Sequence, residues 1–394
     1  MKRLLKISFD LALLSFISIL SWFCLSLIID KNLINIFTLT YPIQFVWFIF
    51  KSIFSTGANI SKEKDKNENA VMSGIIIGTI IAFLIFGFIV INIEQYINFM
   101  NMDITIYKTF AIYSVIQLFI QLVFAFVLEK LYYEEKNDIA NRYSLGFNLL
   151  NFIVLIGSSL LFKNQIIIIT ITLLSIFIYI IYVAIKSFNK FKFKFDILKC
   201  IKYDSVELFN NIAFFFIFLF GLSNAMEFGE QYALALTFVA LITDTQWDVY
   251  DAISIAAKID ISKEKFNYKE HRNNAYKLLL ILLGTVFLMF IVLYRFYELD
   301  MMLVAIYFSF ELINFSIYPI YKLKTCYLQL EYSAIKTTVN KMVSSGLRMV
   351  ISLLKTPFCT GLGQVSSSIY QFVSLNFIFN KNFKIEKNGL IIKK

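Results

Sequence analysis

The sequence predicts an all-α integral membrane protein of about twelve transmembrane helices, arranged as two parallel six-helix repeats. Three observations predict it. The chain of 394 residues has a mean hydropathy of +0.71, with 59% hydrophobic and only 16% charged residues, where a soluble domain carries about 25% charged residues. It contains twelve apolar runs, each near the ~20 residues that a helix needs to cross a hydrocarbon core of ~30 Å. Finally, Ile60-Ser61-Lys62-Glu63-Lys64 recurs as Ile261-Ser262-Lys263-Glu264-Lys265, an offset of 265 − 64 = 201, close to half the chain.

The runs lie near residues 7–29, 34–54, 71–93, 107–129, 143–162, 165–185, 206–225, 232–257, 278–297, 301–321, 337–357 and 360–380. The first follows Met1-Lys2-Arg3-Leu4-Leu5-Lys6 and could pass for a secretory signal, but no small-residue cleavage site follows and a second apolar run begins almost at once. Helices are the physical default, because unpaired backbone groups are too costly in lipid and the runs do not alternate as barrel strands do. The loops give the orientation. Counting Lys108, Arg295, Lys341 and Lys355, which fall toward run ends, with the adjoining loops, the N-terminus, the even-numbered loops and the C-terminus carry 30 of the 37 Lys and Arg residues, the odd-numbered loops carry 5, and Lys51 and Arg348 lie within helices. That alternation predicts cytoplasmic termini of a multi-pass plasma-membrane protein. It also accounts for the net charge of +10 without a nucleic-acid partner.

The basic, Phe-containing stretch from Lys186 to Lys202 reads as a membrane-surface linker, its aromatics in the interface and its lysines near anionic headgroups. It divides an N-terminal six-helix bundle, 1–189, from a C-terminal one, 206–394, with 190–205 between them. Further repeats fall in order: Gly78-Thr79 recurs as Gly284-Thr285, and Ala111-Ile112-Tyr113 as Ala305-Ile306-Tyr307. In that last register Gln117 aligns with Glu311. Six is an even number, so the halves share one orientation and are related about the membrane normal.

Asp244, Asp248 and Asp251 fall at i, i+4 and i+7 of the eighth run and share a helix face. Asp244 lies close to mid-membrane, and the other two lie progressively nearer the cytoplasm. An ionised carboxylate there costs at least ~2.5–3.5 kcal/mol, so it faces a wet cavity, a partner or a cation. Glu311 in the tenth run is the other mid-membrane acid. Together these residues predict a cation and substrate site in the second half that binds H⁺ or Na⁺ in alternation with a cationic substrate. The structural alternative is that they pair with Lys51, Arg348 or backbone groups and only fix helix positions.

The 201-residue offset places Lys51 opposite Ala252, at the depth of Asp251. Lys51 is therefore a candidate cytoplasmic gate paired with Asp251, or a side chain snorkelling to the interface. Arg348, about 10 Å inside the eleventh run by helical rise, is expected to anchor packing. Pro42 and Pro319 are expected to interrupt the second and tenth helices.

Other chemistry finds little support. Cys24, Cys200, Cys326 and Cys359 have no ligand spacing, and the single His271 sits in a charged loop, so neither a metal site nor a histidine relay is predicted. There is no GxxxxGK[ST] loop for nucleotide hydrolysis, and no cofactor beyond the coupling ion is expected. Gly361-Leu362-Gly363-Gln364 reads as a turn between the last two helices.

Several stretches carry a family resemblance: Ser55-Thr56-Gly57-Ala58-Asn59 to Lys66, Met102-Asp103, Tyr113, Asn148 and Asn151, the loop Ala256 to Lys277, and Arg348. In these the chain resembles the multidrug and toxic compound extrusion (MATE) family, within the superfamily that includes lipid-linked oligosaccharide flippases. The resemblance implies a V-shaped pair of bundles, with helices 1, 2, 7 and 8 lining a central cavity and exchange driven by Na⁺ or H⁺. The chain departs from the family in its first helix, which offers only Asp10 and Asp30 at its ends. Glu207 lies at the cytoplasmic end of helix seven, where the family's acid sits deeper. The expected function is therefore cation-coupled export of amphipathic, cationic small molecules by a monomer in the bilayer, with the site in the second half. The alternatives are a flippase for a lipid-linked substrate and, less favoured, an intramembrane aspartyl protease. A pyrophosphate-binding cavity calls for Arg and Lys, whereas helix eight offers aspartates.

Overall fold

The computed structural model describes residues 2–67, 69–134, 136–187, 192–203, 205–262, 264–297 and 299–393. Long apolar runs in a medium that offers no hydrogen bonds become helices, and the twelve predicted spans appear in order. The first five are α1 (Lys2–Ile28), α2 (Ile36–Lys51) continued by α3 (Gly57–Asp65), α4 (Ala70–Ile91), α6 (Ile104–Tyr133) and α7 (Asn137–Leu161). The short α5 (Ile93–Phe99) lies between α4 and α6. Then come α8 (Gln165–Ser187), the short surface helix α9 (Ile197–Tyr203), α10 (Ser205–Phe228), and α11 (Glu230–Thr243) continued by α12 (Thr245–Ser262). The last four are α13 (Tyr268–Leu293), α14 (Met301–Glu331), α15 (Ala334–Ser352) and α16 (Cys359–Asn382). Eight spans among the described residues are long and apolar enough to cross a membrane on those grounds alone. The others include the eighth span and the polar-residue-bearing α15 and α16.

The helices form two units. One is Leu20–Met226 and the other is Met1–Ile19 with Glu227–Lys394, so the division falls within α1. In the first unit α2 packs on α6, and α6, α7 and α8 pack together. Their core joins Ile120, Phe124 and Val127 to Phe147 and to Ile176, Ile180 and Val183, with the Phe124 and Phe147 rings stacked at 4.7 Å. In the second unit α14 packs against α11, α12 and α16, and α15 lies on α16. Large apolar side chains point outward as well: Phe83 and Leu84 on α4 are 63% and 65% exposed. This is the pattern of a protein whose surroundings are as apolar as its core.

The two proline-containing helices are continuous: α2 runs through Pro42 and α14 through Pro319. Proline removes a single backbone bond, and a long membrane helix absorbs that loss through its neighbours. The irregularities lie elsewhere. A π-turn at Ser52–Thr56 joins α2 to α3, and the bonding of the eighth span tightens for one turn at Asp244, whose backbone stays helical at φ −57° and ψ −41°.

Matched features recur in the two units. Asp103 caps α6 by accepting from the Thr105 N–H at 2.7 Å, and Asp300 caps α14 by accepting from the Met302 N–H at 2.8 Å. The offset of the Ala111 and Ala305 match, 305 − 111 = 194, carries Lys130 onto Lys324, and both lysines are buried. Lys130 Nζ donates to the Ser187 carbonyl at the end of α8, and Lys324 Nζ donates to Asn376 Oδ1 on α16.

After α16 the strands β1 (Phe383–Ile385) and β2 (Ile391–Lys393) pair antiparallel. The hairpin is tied to the start of α13. The Tyr268 N–H donates to the Gly389 carbonyl at 3.0 Å, Asn267 Nδ2 to the Asn388 carbonyl at 2.8 Å, and Lys269 Nζ to the Lys387 carbonyl at 2.6 Å. At this corner His271 Nε2 meets Asp260 Oδ2 at 3.0 Å.

The packing generates a contrast. Phe124→Ala is expected to lower the melting temperature in mild detergent. Its cost should fall below the roughly 3–5 kcal/mol of a water-soluble core, because the unfolded helix keeps its ring in an apolar medium. Phe83→Ala, on the outward face, should leave the melting temperature unchanged; equal shifts would contradict the assignment of the two faces.

Candidate functional site

The site is built around the tightened turn in the eighth span. Thr243 ends α11 with its hydroxyl turned back onto the Val239 carbonyl at 2.7 Å. The Asp244 N–H then reaches the Leu241 carbonyl at 3.3 Å, and the Trp247 N–H reaches the Asp244 carbonyl at 3.1 Å. Both are three-residue spacings in place of the helical four, so the span tightens for one turn and restarts as α12. The 201-residue offset carries Thr243 onto Pro42, so the tightened turn lies at the depth where the first half holds its proline.

Two residues beyond Asp244, the side chain of Gln246 is buried, and its Nε2 donates to Glu311 Oε2 at 2.7 Å. A second amide, Gln364 Nε2 on α16, donates to the same oxygen at 2.8 Å. Arg348 on α15 donates from Nη2 to Gln364 Oε1 at 3.4 Å, and its charge acts on the Glu311 carboxylate. Four helices thus converge on one carboxylate: α12, α14, α15 and α16. One turn further along α14, Asn314 Oδ1 accepts from Ser368 Oγ at 2.7 Å, and Asn314 Nδ2 reaches the Tyr250 hydroxyl at 3.5 Å.

Glu311 Oε1 makes no hydrogen bond among the described residues. Gln246 Oε1 is buried with no hydrogen-bond partner among them. The unpartnered amide oxygen belongs to the same side chain that bonds Glu311, and carboxylate and amide oxygens are groups that a proton or a hard cation would seek, because oxygen ligands select hard ions.

Of the sequence-predicted residues, Glu311 is central. Asp244 occupies the tightened turn itself, half-buried. The side chains of Asp248 and Asp251 lie outside the described residues, as does that of Glu207. Arg348 is buried as expected and joins the Glu311 network through Gln364. Lys51 pairs within the first unit: its Nζ lies 3.8 Å from Glu129 Oε2 and 5.7 Å from the Trp47 ring. Glu129 also accepts from Thr56 Oγ1 at 2.7 Å, which ties the π-turn to α6. Two residues named for the resemblance meet, with the Tyr113 hydroxyl donating to Asn151 Oδ1 at 3.4 Å.

Gln246 and Gln364 were not anticipated. Gln246 had a usable signal, a neutral hydrogen-bonding side chain at membrane depth beside an acid. Gln364 was concealed by its neighbours: Gly361-Leu362-Gly363-Gln364 is not a turn but the first turns of α16. The glycines there serve packing. A Cβ on Gly361 would lie 2.2 Å from the Phe310 ring, and one on Gly363 would lie 3.1 Å from the Arg348 side chain.

The chain can now be set beside known proteins. No family model and no curated protein matches the sequence. Solved structures do match. One is the inward-facing conformation of a multidrug resistance MATE family transporter of the MOP superfamily (TM-score 0.71, 12% identity, 95% of this chain and 98% of that one). Another is the lipid II flippase MurJ in an inward closed conformation (TM-score 0.69, 14% identity, 95% and 87%). A third is a MOP superfamily transporter from Pyrococcus furiosus described as having a binding pocket of reverse polarity (TM-score 0.61, 12% identity, 96% and 95%). The chain therefore has the all-helical fold that MATE transporters and this flippase share.

The network predicts non-additive stability effects. Arg348→Met alone removes the buried cation bonded to Gln364 and is expected to cost about 1–3 kcal/mol, the range for a buried polar group left without its partner. Adding Glu311→Leu should recover part of that loss in a double-mutant cycle read by thermal melting. Strict additivity would show that the two side chains do not interact.

Proposed function

We propose that this protein is a secondary active transporter that exports amphipathic, cationic small molecules in exchange for H⁺ or Na⁺ by alternating access. It acts as a monomer in the plasma membrane, with both termini cytoplasmic and six-helix halves near 1–189 and 206–394. The fold supports a transporter or flippase, and the observation that carries the finer reading is the Glu311 carboxylate held by Gln246, whose own Oε1 is buried without a hydrogen-bond partner among the described residues.

The mechanism follows from which bonds a bound cation would weaken. While Glu311 is ionised it holds α12 through Gln246 and α16 through Gln364. Charge-assisted bonds are about twice as strong as neutral ones, so neutralisation by H⁺ or screening by Na⁺ loosens both ties. Gln246 lies in the first turn of α12, directly after the tightened turn at Asp244, where the eighth span bends most easily. Occupancy of Glu311 is thereby converted into a change in the angle between α11 and α12. Asp244 at that turn supplies the negative charge that a cationic substrate meets, with Asp248 and Asp251 toward the cytoplasm. Lys51, tied to Glu129 beside the π-turn, would brace the first half on its cytoplasmic side.

A flippase for a lipid-linked substrate is the second reading, favoured by the likeness to the lipid II flippase. The cation nearest the site, Arg348, is buried against Gln364. It is thus poorly placed to receive a pyrophosphate.

The test is uptake of a cationic fluorescent dye into inverted vesicles, with Na⁺ and H⁺ gradients imposed separately. One gradient should drive uptake, and Glu311→Gln should abolish that dependence at unchanged protein level. Asp244→Asn should lower uptake at least about tenfold, the effect of ~1.4 kcal/mol. Wild-type coupling in Glu311→Gln would remove Glu311 from the mechanism. No dye uptake under either gradient, with translocation of a lipid-linked substrate, would favour the flippase.

A further inference from the structure

We propose that residues 192–203 form a docking surface for anionic phospholipid headgroups, and that this surface bears directly on the π-turn of the first unit. The inward side of the segment is pinned. The Lys192 N–H donates to Asn69 Oδ1 at 2.9 Å, the Lys194 N–H to Ser73 Oγ at 2.9 Å, and Asn67 Nδ2 to the Lys194 carbonyl at 3.3 Å. The Phe195 ring stacks on Phe54, centroid to centroid at 5.8 Å with 20° between planes. Cys200 is fully buried, and its backbone lies so close to α3 that a Cβ on Gly57 would come within 2.6 Å of its carbonyl oxygen.

The anchoring residues fix the depth. Asn67, Asn69 and Ser73 flank or form the first turn of α4, the span that presents Phe83 and Leu84 to lipid. A segment bonded to the end of a membrane span lies at the level of the headgroups.

The outward side has the composition that this level selects. Phe193 is 65% and Leu198 75% exposed. Lys192, Lys194 and Lys202 are exposed around them and make no ion pair among the described residues. Lys199 is held 3.6 Å from Asp65. The segment carries these four lysines against one acid, Asp196, and Asp196 is turned to the Lys199 N–H at 3.2 Å. Apolar side chains interleaved with unpaired ammonium groups complement an interface in which acyl chains begin below a layer of phosphates. Each lysine near an anionic surface adds roughly fivefold to the attraction of the segment to that surface.

The same segment touches the part of the first unit that departs from regular helix. Phe54, under Phe195, lies within the π-turn Ser52–Thr56. Gly57, under Cys200, opens α3. Headgroup occupancy on the outer side therefore loads the one irregular joint of α2 and α3. This conclusion is independent of which solute is carried.

Full-length Phe193→Trp protein, reconstituted in vesicles, tests it by fluorescence, read as the difference from the parent, whose own tryptophans are Trp22, Trp47 and Trp247. Brominated phosphatidylglycerol should quench the added indole at least about twice as strongly as the same mole fraction of brominated phosphatidylcholine, given the lysine enrichment. The excess should collapse near 1 M salt, where the Debye length falls to about 3 Å. It should also vanish in Phe193→Trp with Lys192→Gln, Lys194→Gln and Lys202→Gln, while quenching by brominated phosphatidylcholine persists. No quenching by either lipid would show that the surface faces away from the bilayer. Equal quenching by both, or an excess that survives salt and the triple substitution, would likewise overturn the proposal.

Discussion

In hydrocarbon a carboxylate has only the partners that the protein brings to it, and the second unit is arranged around that constraint. Glu311 receives two amides from α12 and α16, and the guanidinium on α15 reaches it through one of them. Each donor comes from a different helix, so the helices cannot part without exposing a charge to lipid. The cost of that exposure holds the bundle in register, in a setting where apolar contacts alone distinguish poorly between one packing and another. Buried polar groups in such a bundle set geometry more than they add stability.

The first unit satisfies the same constraint differently. At the position of Glu311 it carries the neutral Gln117, and its acid, Glu129, lies 129 − 117 = 12 residues further along α6 with Lys51 and Thr56. The matched lysines Lys130 and Lys324 both reach toward the ends of the sixth and twelfth spans. The caps Asp103 and Asp300 and the pair Tyr113 and Tyr307 repeat the scaffold. The two units therefore share a frame and differ in where charge is placed within it: near one end of α6 in the first, and in the middle of α14 in the second.

The frame was legible in the sequence because a bilayer permits few answers. Twenty apolar residues must be a helix, and lysines in alternate loops fix the count. Glu311 was legible because an acid in a long apolar run stands out. The tightened turn at Asp244 was not predicted; the prolines drew attention to the wrong joints, since a lipid-embedded helix tolerates a missing backbone bond. Gln364 was misplaced because its flanking glycines signal turns in water, whereas between membrane helices they signal close approach, here to Phe310 and Arg348. The partner of Lys51 was beyond reach, because its ion pair with Glu129 joins residues 129 − 51 = 78 apart on different helices.

The hairpin after α16 has a consequence for how the protein is made. Its bonds to Asn267 and Lys269 cross 121 and 118 residues of chain, and Glu311 waits 53 residues for Gln364. A ribosome feeding helices into the membrane one at a time therefore delivers α14 while its acid still lacks an amide from α16. The start of α13 likewise waits for the strands that will hold it. The second unit must pass through a stage in which its most polar side chain is inserted but unsatisfied. That stage ends only when α16 enters and the hairpin closes over the start of α13, so the polar centre of the second unit is completed later than the helices that carry it.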